Sequence, residues 1–459
     1  MQNRADFKSV FRLWPAIWLL VALAILSLAT AAQNFVDMKP SPQQSEWQDL
    51  EFGVIIHFGT NTFLDREWGD GKASPQIFAP TRFDPDQWMR VIKAAGAKYV
   101  VLVAKHHDGF CLWPTGQTDY SVKNSPWKQG HGDVVRQVFD AARKFGLKFG
   151  IYLSPWDRHE PKYQNSAAYD EYYLAQLQEL ATNYGNLVEF WLDGAGSEGH
   201  VYNFPRYIEN LRVYQPNTLV FADAALFEYG DIRWAGNENG NIPYENWNVL
   251  DRHGYLRWRP VEADTPLHKD HWFWHPNDEA SLKSTAELLS IYENSVGRGG
   301  QLMLGIAPDR TGQLPEADVA RLKEFGAALQ KRYATNLIAK EHIRNAATEA
   351  AFDDDPATFW SAPAGSHHAV LEADFPKPVT FDRSLVMEWL NDGQHIEHYR
   401  IEAWDGKNWN LLVEGHAIGH KRIDSFVPVT ALRVRLNILE SSAPAHIREF
   451  QLFKDSPQP

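Results

Sequence analysis

YVVLVAKHHDGF, residues 99–110, is the stretch of sequence that decides the fold. Its first six residues are apolar and rich in β-branched side chains, as is typical of a strand buried on both faces. Polar residues then begin abruptly at Lys105. The same change from apolar to polar or aromatic recurs after residues 52–58, 148–153 and 187–192. Such strands indicate a parallel sheet that is covered by helices.

Outward from this stretch, runs of strand length alternate with helical patterns. The predicted strands are residues 52–58, 99–104, 148–153, 187–192, 218–221, 232–234, 270–274 and 301–306. The predicted helices are residues 85–95, 133–145, 167–184, 204–214, 279–295 and 316–332. This alternation predicts an α/β fold with a (β/α)8 barrel over residues 40–335. A doubly wound open sheet is the alternative, which is disfavoured because no G-x-G-x-x-G motif follows an early strand.

The pattern changes after residue 332, where short alternating strands replace helical periodicity. These strands are predicted at residues 369–375, 384–388, 396–403, 409–414, 422–426 and 431–438. Turn signals such as Asp405-Gly406-Lys407-Asn408 separate them. Closely spaced strands of this kind predict a C-terminal all-β sandwich over residues 336–459.

The first 32 residues have the pattern of a secretory signal peptide. Arg4, Lys8 and Arg12 precede an uncharged, mostly apolar run, and Ala29-Thr30-Ala31 offers a small-residue cleavage site. An uncleaved membrane anchor is the alternative, since the run is nearly long enough to span a bilayer. We expect cleavage, no membrane association afterwards, and a secreted or bacterial periplasmic location.

Composition excludes several classes of function. The chain of 459 residues has 45 basic and 58 acidic residues, a net charge of −13, and no long basic run, so a nucleic-acid partner is not expected. A single cysteine, Cys111, excludes an internal disulfide framework and a cysteine-rich zinc site. We interpret it as a packing residue. The 18 Trp, 17 Tyr and 25 Phe are typical of a protein that binds neutral molecules by stacking them against aromatic rings.

The ends of the predicted barrel strands carry the residues suited to chemistry. His57 lies at the end of the first strand, His106 and His107 follow the second, Tyr152 lies at the end of the third, and Asp193 follows the fourth. Active sites of barrels lie at the carboxyl ends of the strands, so these side chains should converge. Imidazoles that bond hydroxyls, aromatic rings that cover a sugar face, and acid–base carboxylates together favour a sugar site.

Metal-assisted chemistry is disfavoured by the spacing of the histidines. Adjacent residues such as His106 and His107 point to opposite faces of a regular strand unless a bulge intervenes. No H-x-H or H-E-x-x-H pair is present among the candidates. We therefore expect neither a metal nor another cofactor.

Several blocks resemble the α-L-fucosidases of glycoside hydrolase family 29. They are residues 52–59, Glu67-Trp68, Phe83-Asp84, Trp88, residues 94–99 with 105–110, residues 190–194 and residues 299–308 with Gly312 and Leu314-Pro315. These blocks occur in the family's order and together span about residues 40–335. Residues 336–459 resemble the carbohydrate-binding or coagulation-factor-type sandwich that often follows this domain.

The resemblance implies a retaining exo-α-L-fucosidase in which Asp193 is the nucleophile. Glu238, in the segment 234–240, resembles the acid/base of the subfamily that cleaves α-1,3/1,4-linked fucose, with Glu245 and Glu262 as alternatives. The expected partner is a fucosylated oligosaccharide. A catalytically inactive carbohydrate-binding barrel, or a related glycosidase for another deoxy or galacto-configured sugar, are the alternative functions.

The resemblance also implies a set of sugar contacts. The residues are His57, Glu67, Trp68, His106, His107, Tyr152 and Trp272. Trp272 would pack against the C5 methyl group of fucose, where an apolar wall selects against a 6-hydroxyl. Residues 265–270 depart from the arginine-containing stretch usual there, which leaves the choice between Trp272 and Trp274 open.

Overall fold

A computed structural model describes residues 37–222, 230–252, 255–338, 342–343 and 345–454. The predicted signal peptide lies outside these residues. The strands of the first domain are β1 (Phe52–Ile56), β2 (Tyr99–Lys105), β3 (Lys148–Leu153), β4 (Glu189–Leu192), β5 (Leu219–Ala222), β6 (Ile232–Trp234), β7 (Val249–Arg252), β8 (Tyr255–Trp258), β9 (Val261–Pro266) and β10 (Gln301–Ile306). Eight of them close a parallel barrel in the order β1-β10-β9-β6-β5-β4-β3-β2, while β7 and β8 form a separate hairpin. The predicted fold class is confirmed.

Helices lie between most of these strands. They are α1 (Pro42–Gln48), α2 (Thr60–Leu64), α3 (Pro85–Ala95), α4 (Val134–Phe145), α5 (Ser166–Asn183), α6 (Phe204–Tyr214), α7 (Thr285–Ser295) and α8 (Glu316–Arg332). Local sequence sets their ends. In α3 the Asp84 side chain accepts from the Gln87 N–H, and Gly96 ends the helix at a φ of +100°. The predicted helix 279–295 begins only at Thr285, because Ser284 and Glu287 form a capping box.

The seventh barrel strand is β9, and the predicted strand at residues 270–274 is wrong. Asp270 has a φ of +65°, which a strand does not allow, and residues 270–274 form a loop over the barrel rim. Glu262 and Asp264 interrupt the apolar pattern of β9, although every residue of this strand is buried. Indole and phenol donors inside the barrel satisfy these acids, which an apolar-pattern argument does not anticipate.

The second domain is a six-stranded antiparallel sheet in the order β11-β16-β12-β15-β13-β14. Its strands are β11 (Trp360–Ser361), β12 (Ala369–Glu388), β13 (Ile396–Trp404), β14 (Trp409–Gly415), β15 (Arg422–Ser441) and β16 (His446–Phe453). Two pairs of predicted short strands are each one long strand, β12 and β15, which stay paired through irregularities in their register. Two strands of this sheet, β11 and β16, were not predicted.

The two domains share apolar and charged contacts. Leu385, Met387, Ile423 and Phe453 of the second domain belong to the same buried cluster as the barrel helices. The guanidinium of Arg448 pairs with Asp49 at 2.6 Å beside β1. No helix within the described ranges is both long and apolar enough to cross a membrane.

Candidate active site

A pocket of about 260 Å³ opens where the barrel strands end. Its wall is formed by Ile55, His57, Trp68, His106, His107, Tyr152, Trp191, Asp193, Gly194, Ala195, Glu198, Trp234, Glu238, Asp264 and Trp272. This set brings together every predicted site residue except Glu67. The convergence expected from the strand ends is therefore present in the structure.

His106 and His107 both reach the pocket although they are neighbours in sequence. Strand β2 ends at Lys105, and its pairing with β3 shifts register between Val103 and Lys105. The two histidines therefore lie in the turn that follows the strand. Their ring centroids are 4.2 Å apart, and His57 lies 5.8 Å from His106.

These three imidazoles are neutral at neutral pH. Burial lowers the pKa of His57 and of His106 well below the usual value, and neighbouring imidazoles add to the effect. Burial, with the nearby His57, lowers the pKa of His107 to about 3. Nδ1 of His57 and Nδ1 of His106 have no hydrogen-bond partner within the described part of the chain. Neutral rings with free nitrogens suit the recognition of hydroxyl groups.

Asp193 follows β4 and is held by two donors. Its Oδ2 accepts from the Tyr152 hydroxyl at 2.8 Å, and its Oδ1 accepts from the Ala195 N–H at 2.8 Å. Nε2 of His107 lies 3.5 Å from Oδ2. Burial raises the pKa of Asp193 above its ordinary value, although the two hydrogen bonds oppose that rise. The carboxyl group is thus oriented and only partly exposed to water.

Tyr152 connects the pocket to the barrel interior. Its ring stacks on Trp191 at 5.5 Å, and the Trp191 N–H donates to Glu262 Oε1 at 2.8 Å. Glu262 is fully buried, and burial raises its pKa to about 7. It lies below the pocket wall, which does not suit the acid/base role weighed for it as an alternative. Instead, its carboxyl group holds the Trp191 indole, on which the Tyr152 ring stacks.

Glu238 stands at the pocket wall on an exposed loop. Side chains of Asn237 and Asn239 accept from backbone N–H groups two residues ahead, which builds the loop from short turns. Glu238 Oε2 accepts from the Trp272 indole N–H at 3.2 Å. The other alternative, Glu245, accepts from the His416 N–H in the second domain and is absent from the wall.

Trp272 also lines the pocket, and Glu67 fixes the loop that carries it. The indole lies 5.1 Å from the His57 ring. Glu67 does not line the pocket; its carboxylate accepts from the N–H groups of Trp272 at 2.8 Å and Phe273 at 3.0 Å, and pairs with His275 at 2.7 Å. Trp274 lies outside the pocket, under the Arg310 guanidinium. Of the two tryptophans left open, Trp272 is therefore the pocket residue.

Sequence reasoning missed Glu198, Trp234 and Asp264, which also line the pocket. Asp264 is buried, and its Oδ1 accepts from the Trp234 indole N–H at 2.7 Å. Burial raises the pKa of Asp264 well above its usual value. The sequence did offer a signal, because Asp264 lies near the end of a barrel strand. The prediction placed that strand at residues 270–274, so the signal was not used.

The pocket combines neutral imidazoles and indole faces with four carboxyl groups, those of Asp193, Glu198, Glu238 and Asp264. Carboxyl groups at positions 193 and 238 can act as nucleophile and as proton donor, while the rings cover the apolar face of a sugar. Within residues 37–454 as described, no group of three or more His, Cys, Asp and Glu side chains is arranged to hold a metal ion. Cys111 is buried away from the wall, and burial raises the pKa of its thiol well above the usual value.

Comparisons with known families match both parts of the chain. The family described as "Alpha-L-fucosidase" matches residues 26–333. The family described as "F5/8 type C domain" matches residues 336–450.

Individual relatives match over nearly the whole length. "Alpha-L-fucosidase 1" of Arabidopsis thaliana is 35% identical over 451 residues, covering 89% of this chain and 88% of that protein. A solved glycoside hydrolase 29 family member from an unknown rumen bacterium is 34% identical with a TM-score of 0.82, covering 92% of this chain and 78% of that one. A solved GH29 fucosidase of Ruminococcus gnavus in complex with fucose is 28% identical with a TM-score of 0.84, covering 92% and 96%.

Proposed function

The chain belongs to the α-L-fucosidases of glycoside hydrolase family 29, and we propose that it cleaves terminal fucose with retention, using Asp193 and Glu238. It is a glycoside hydrolase that acts on α-L-fucosides. The observation that carries the choice of residues is that Asp193 and Glu238 line one pocket, whereas Glu245 and Glu262 do not. Of the other two acids in the wall, Asp264 is buried and bonded to the Trp234 indole, and Glu198 lies outside the segment that resembles the acid/base loop.

Asp193 attacks the anomeric carbon of fucose, and the bond from that carbon to the leaving oxygen breaks. Glu238 donates its proton to that oxygen, then takes a proton from the water that cleaves the fucosyl–Asp193 ester. Retention needs the two carboxyl groups about 5–5.5 Å apart when substrate is bound. The hydrogen bonds from Tyr152 and Ala195 orient Asp193 for this attack.

The wall supports selection of a neutral deoxy sugar. The imidazoles of His57, His106 and His107 meet hydroxyl groups, and the Trp272 indole offers an apolar surface to the C5 methyl group. A 6-hydroxyl placed against that surface would lose its hydrogen bonds to water, which disfavours galactose.

We propose α-1,3/1,4-linked fucose as the preferred substrate. The support is the Gly236-Asn237-Glu238 sequence, which resembles the acid/base loop of that subfamily. Release of fucose from a Lewis-type trisaccharide in preference to 2'-fucosyllactose is the expected result. Preference for 2'-fucosyllactose would contradict it.

Variants of the two carboxyl groups test the mechanism. Asp193→Ala should abolish hydrolysis of an aryl α-L-fucoside, and azide should restore turnover by replacing the missing nucleophile. Glu238→Ala should slow substrates with poor leaving groups most, because they need protonation. Full activity of Asp193→Ala would refute the assignment, and fucose binding by the wild type without turnover would favour an inactive carbohydrate-binding barrel.

We further propose that residues 1–32 direct export and are removed. The support is the basic start, apolar middle and small-residue exit of this segment. The N-terminal sequence of the exported protein tests it, and a retained N-terminus in the membrane fraction would favour the anchor instead.

A further inference from the structure

A hydrogen-bond chain below the pocket joins Trp156, Ser154 and His107. The Ser154 hydroxyl lies 2.7 Å from the carbonyl oxygen of Trp156 and 2.8 Å from Nδ1 of His107. Ser154 has no exposed surface and His107 is 1% exposed, so bulk water does not compete for these contacts. The Ser154 N–H donates to the Lys105 carbonyl at 3.0 Å, which fixes the serine beside the end of β2.

These two hydrogen bonds can run in only one direction. A carbonyl oxygen only accepts, so the single hydrogen of the Ser154 hydroxyl must point to Trp156. The hydroxyl oxygen can then only accept from His107, and Nδ1 of His107 must carry a hydrogen.

The other ring nitrogen then has a free lone pair. His107 lies among the cations Lys105 and Arg158 and the imidazoles of His57 and His106, and burial lowers its pKa to about 3, so the ring is not doubly protonated at neutral pH. Nε2 is therefore a hydrogen-bond acceptor, and it lies 3.5 Å from Oδ2 of Asp193. Two acceptors side by side leave room for a donor supplied by the substrate.

We propose that Ser154 is a positioning residue that holds His107 in the Nδ1–H tautomer, so that Nε2 accepts a hydrogen bond from the sugar hydroxyl beside the anomeric carbon. This rests on the proposed role of Asp193 as nucleophile. Because Asp193 meets the anomeric carbon, a hydroxyl near both Oδ2 and Nε2 is the one on the neighbouring carbon, the 2-hydroxyl of fucose. Hydrogen bonds to that hydroxyl strengthen as positive charge develops on the ring.

The opposite tautomer would act against the reaction. Its Nε2–H would point at Asp193, and a hydrogen bond to this carboxylate would stabilise the charge that must attack. The 2-hydroxyl would at the same time lose its acceptor. Ser154 excludes this arrangement without touching the substrate.

The tautomer can be measured without any turnover. Long-range ¹H–¹⁵N spectra of the full chain with ¹⁵N-labelled histidine, assigned through the signal lost in His107→Asn, should show a protonated Nδ1 and an unprotonated Nε2. Ser154→Ala should move the His107 signals toward the Nε2–H pattern. A wild-type ring protonated on Nε2, or unchanged signals in Ser154→Ala, would overturn the proposal.

Kinetics with a substrate that lacks the 2-hydroxyl supply the second test. On an aryl fucoside, Ser154→Ala should lower kcat/KM about tenfold, mostly through kcat, because a buried donor loses its partner and the acceptor is turned away. On the 2-deoxy analogue the loss should be about twofold or less, and Ser154→Thr should restore most activity. An equal loss on both substrates would indicate a merely structural serine.

Ser125→Ala provides the matched control. Ser125 is also buried and donates to a carbonyl, that of Val122 at 2.7 Å, but it lies outside the pocket. It should leave both kinetics and the His107 signals unchanged. If Asp193→Ala proved active while the His107 tautomer followed Ser154, the proposed function would fail and the tautomer assignment would stand.

Discussion

The indole N–H of Trp272 donates to Oε2 of Glu238 over 3.2 Å, which ties the proposed proton donor to the loop at residues 270–274. Glu238 is otherwise exposed on a loop of turns. In the proposed mechanism, one aromatic residue would cover the sugar face and also hold the carboxyl group that protonates the leaving oxygen.

Trp272→Phe keeps the aromatic surface and removes this donor. Losing one such hydrogen bond, worth about 1 kcal/mol, should lower kcat about fivefold on a fucosyl oligosaccharide. Aryl fucosides with good leaving groups should be affected less, because they need little protonation. The control is Trp274→Phe, because Trp274 lies outside the pocket. An equal effect of both variants would contradict the role given to the Trp272–Glu238 hydrogen bond.

Glu67→Gln should loosen the loop that carries Trp272. An amide has one acceptor oxygen, whereas the carboxylate accepts from the Trp272 and Phe273 N–H groups and from His275. We expect a higher KM, faster hydrogen exchange at residues 270–275, and a loss of about 1–3 kcal/mol in the free energy of unfolding. Glu171→Gln, at an exposed pair with Arg206, should change none of these, and unaltered exchange in Glu67→Gln would contradict the clamp.

Glu189→Gln should make stability less dependent on pH. Burial, and then the adjacent Glu262, raise the pKa of Glu189 well above its usual value, while that of Glu262 rises from 4.5 to about 7. A raised carboxyl pKa means that the folded state holds more protons, so stability is full in acid and falls as the pH rises through 7.

The glutamine cannot ionise and can still meet the Trp47 indole and Glu262. The difference in the free energy of unfolding between about pH 5.5 and about pH 8.5, measured by denaturant titration, should therefore shrink by an amount on the order of 1 kcal/mol. The exposed Glu46→Gln should leave it as in the wild type. A larger fall at high pH in Glu189→Gln would contradict this account.

Tyr244→Ala should reduce activity from outside the pocket. The Tyr244 ring lies 3.6 Å below the Arg422 guanidinium of the second domain, and its hydroxyl donates to Asp424 at 3.2 Å. Because Tyr244 lies six residues after Glu238, its loss frees the loop that carries the carboxyl group. We expect kcat/KM to fall about tenfold, since small displacements of catalytic groups are costly. The exposed Tyr214→Ala, at the end of α6, is the control and should retain full activity.

The barrel could be predicted because most of its strands are continuous apolar runs. Strands β3, β6 and β10 have the predicted bounds, and the residues after β1, β2 and β4 meet in the pocket as expected. Strand β9 could not be found this way, because Glu262 and Asp264 look solvent-exposed until the Trp191 and Trp234 donors are seen across the barrel.

Other features depend on contacts between distant segments. Glu67 looks like a sugar ligand in the sequence, but its hydrogen bonds to Trp272 and Phe273 arise more than 200 residues away along the chain. The anchoring of Glu245 by His416 likewise joins two domains that the sequence only delimits.

The apolar contact between the two domains has a consequence for how such enzymes can be recombined. Leu385 and Ile423 of the second domain belong to the buried cluster of the barrel. Oε1 of Gln394 accepts a hydrogen bond from the Asn248 N–H at 3.0 Å. A sheet domain taken from another protein and fused after the barrel would have to supply equivalents of Leu385, Ile423 and Gln394. Without them the barrel segment around Asn248, which precedes β9, would lose its contacts. The two domains should therefore be exchanged together, and chimeras should keep turnover only when the donor sequence preserves the residues of the junction.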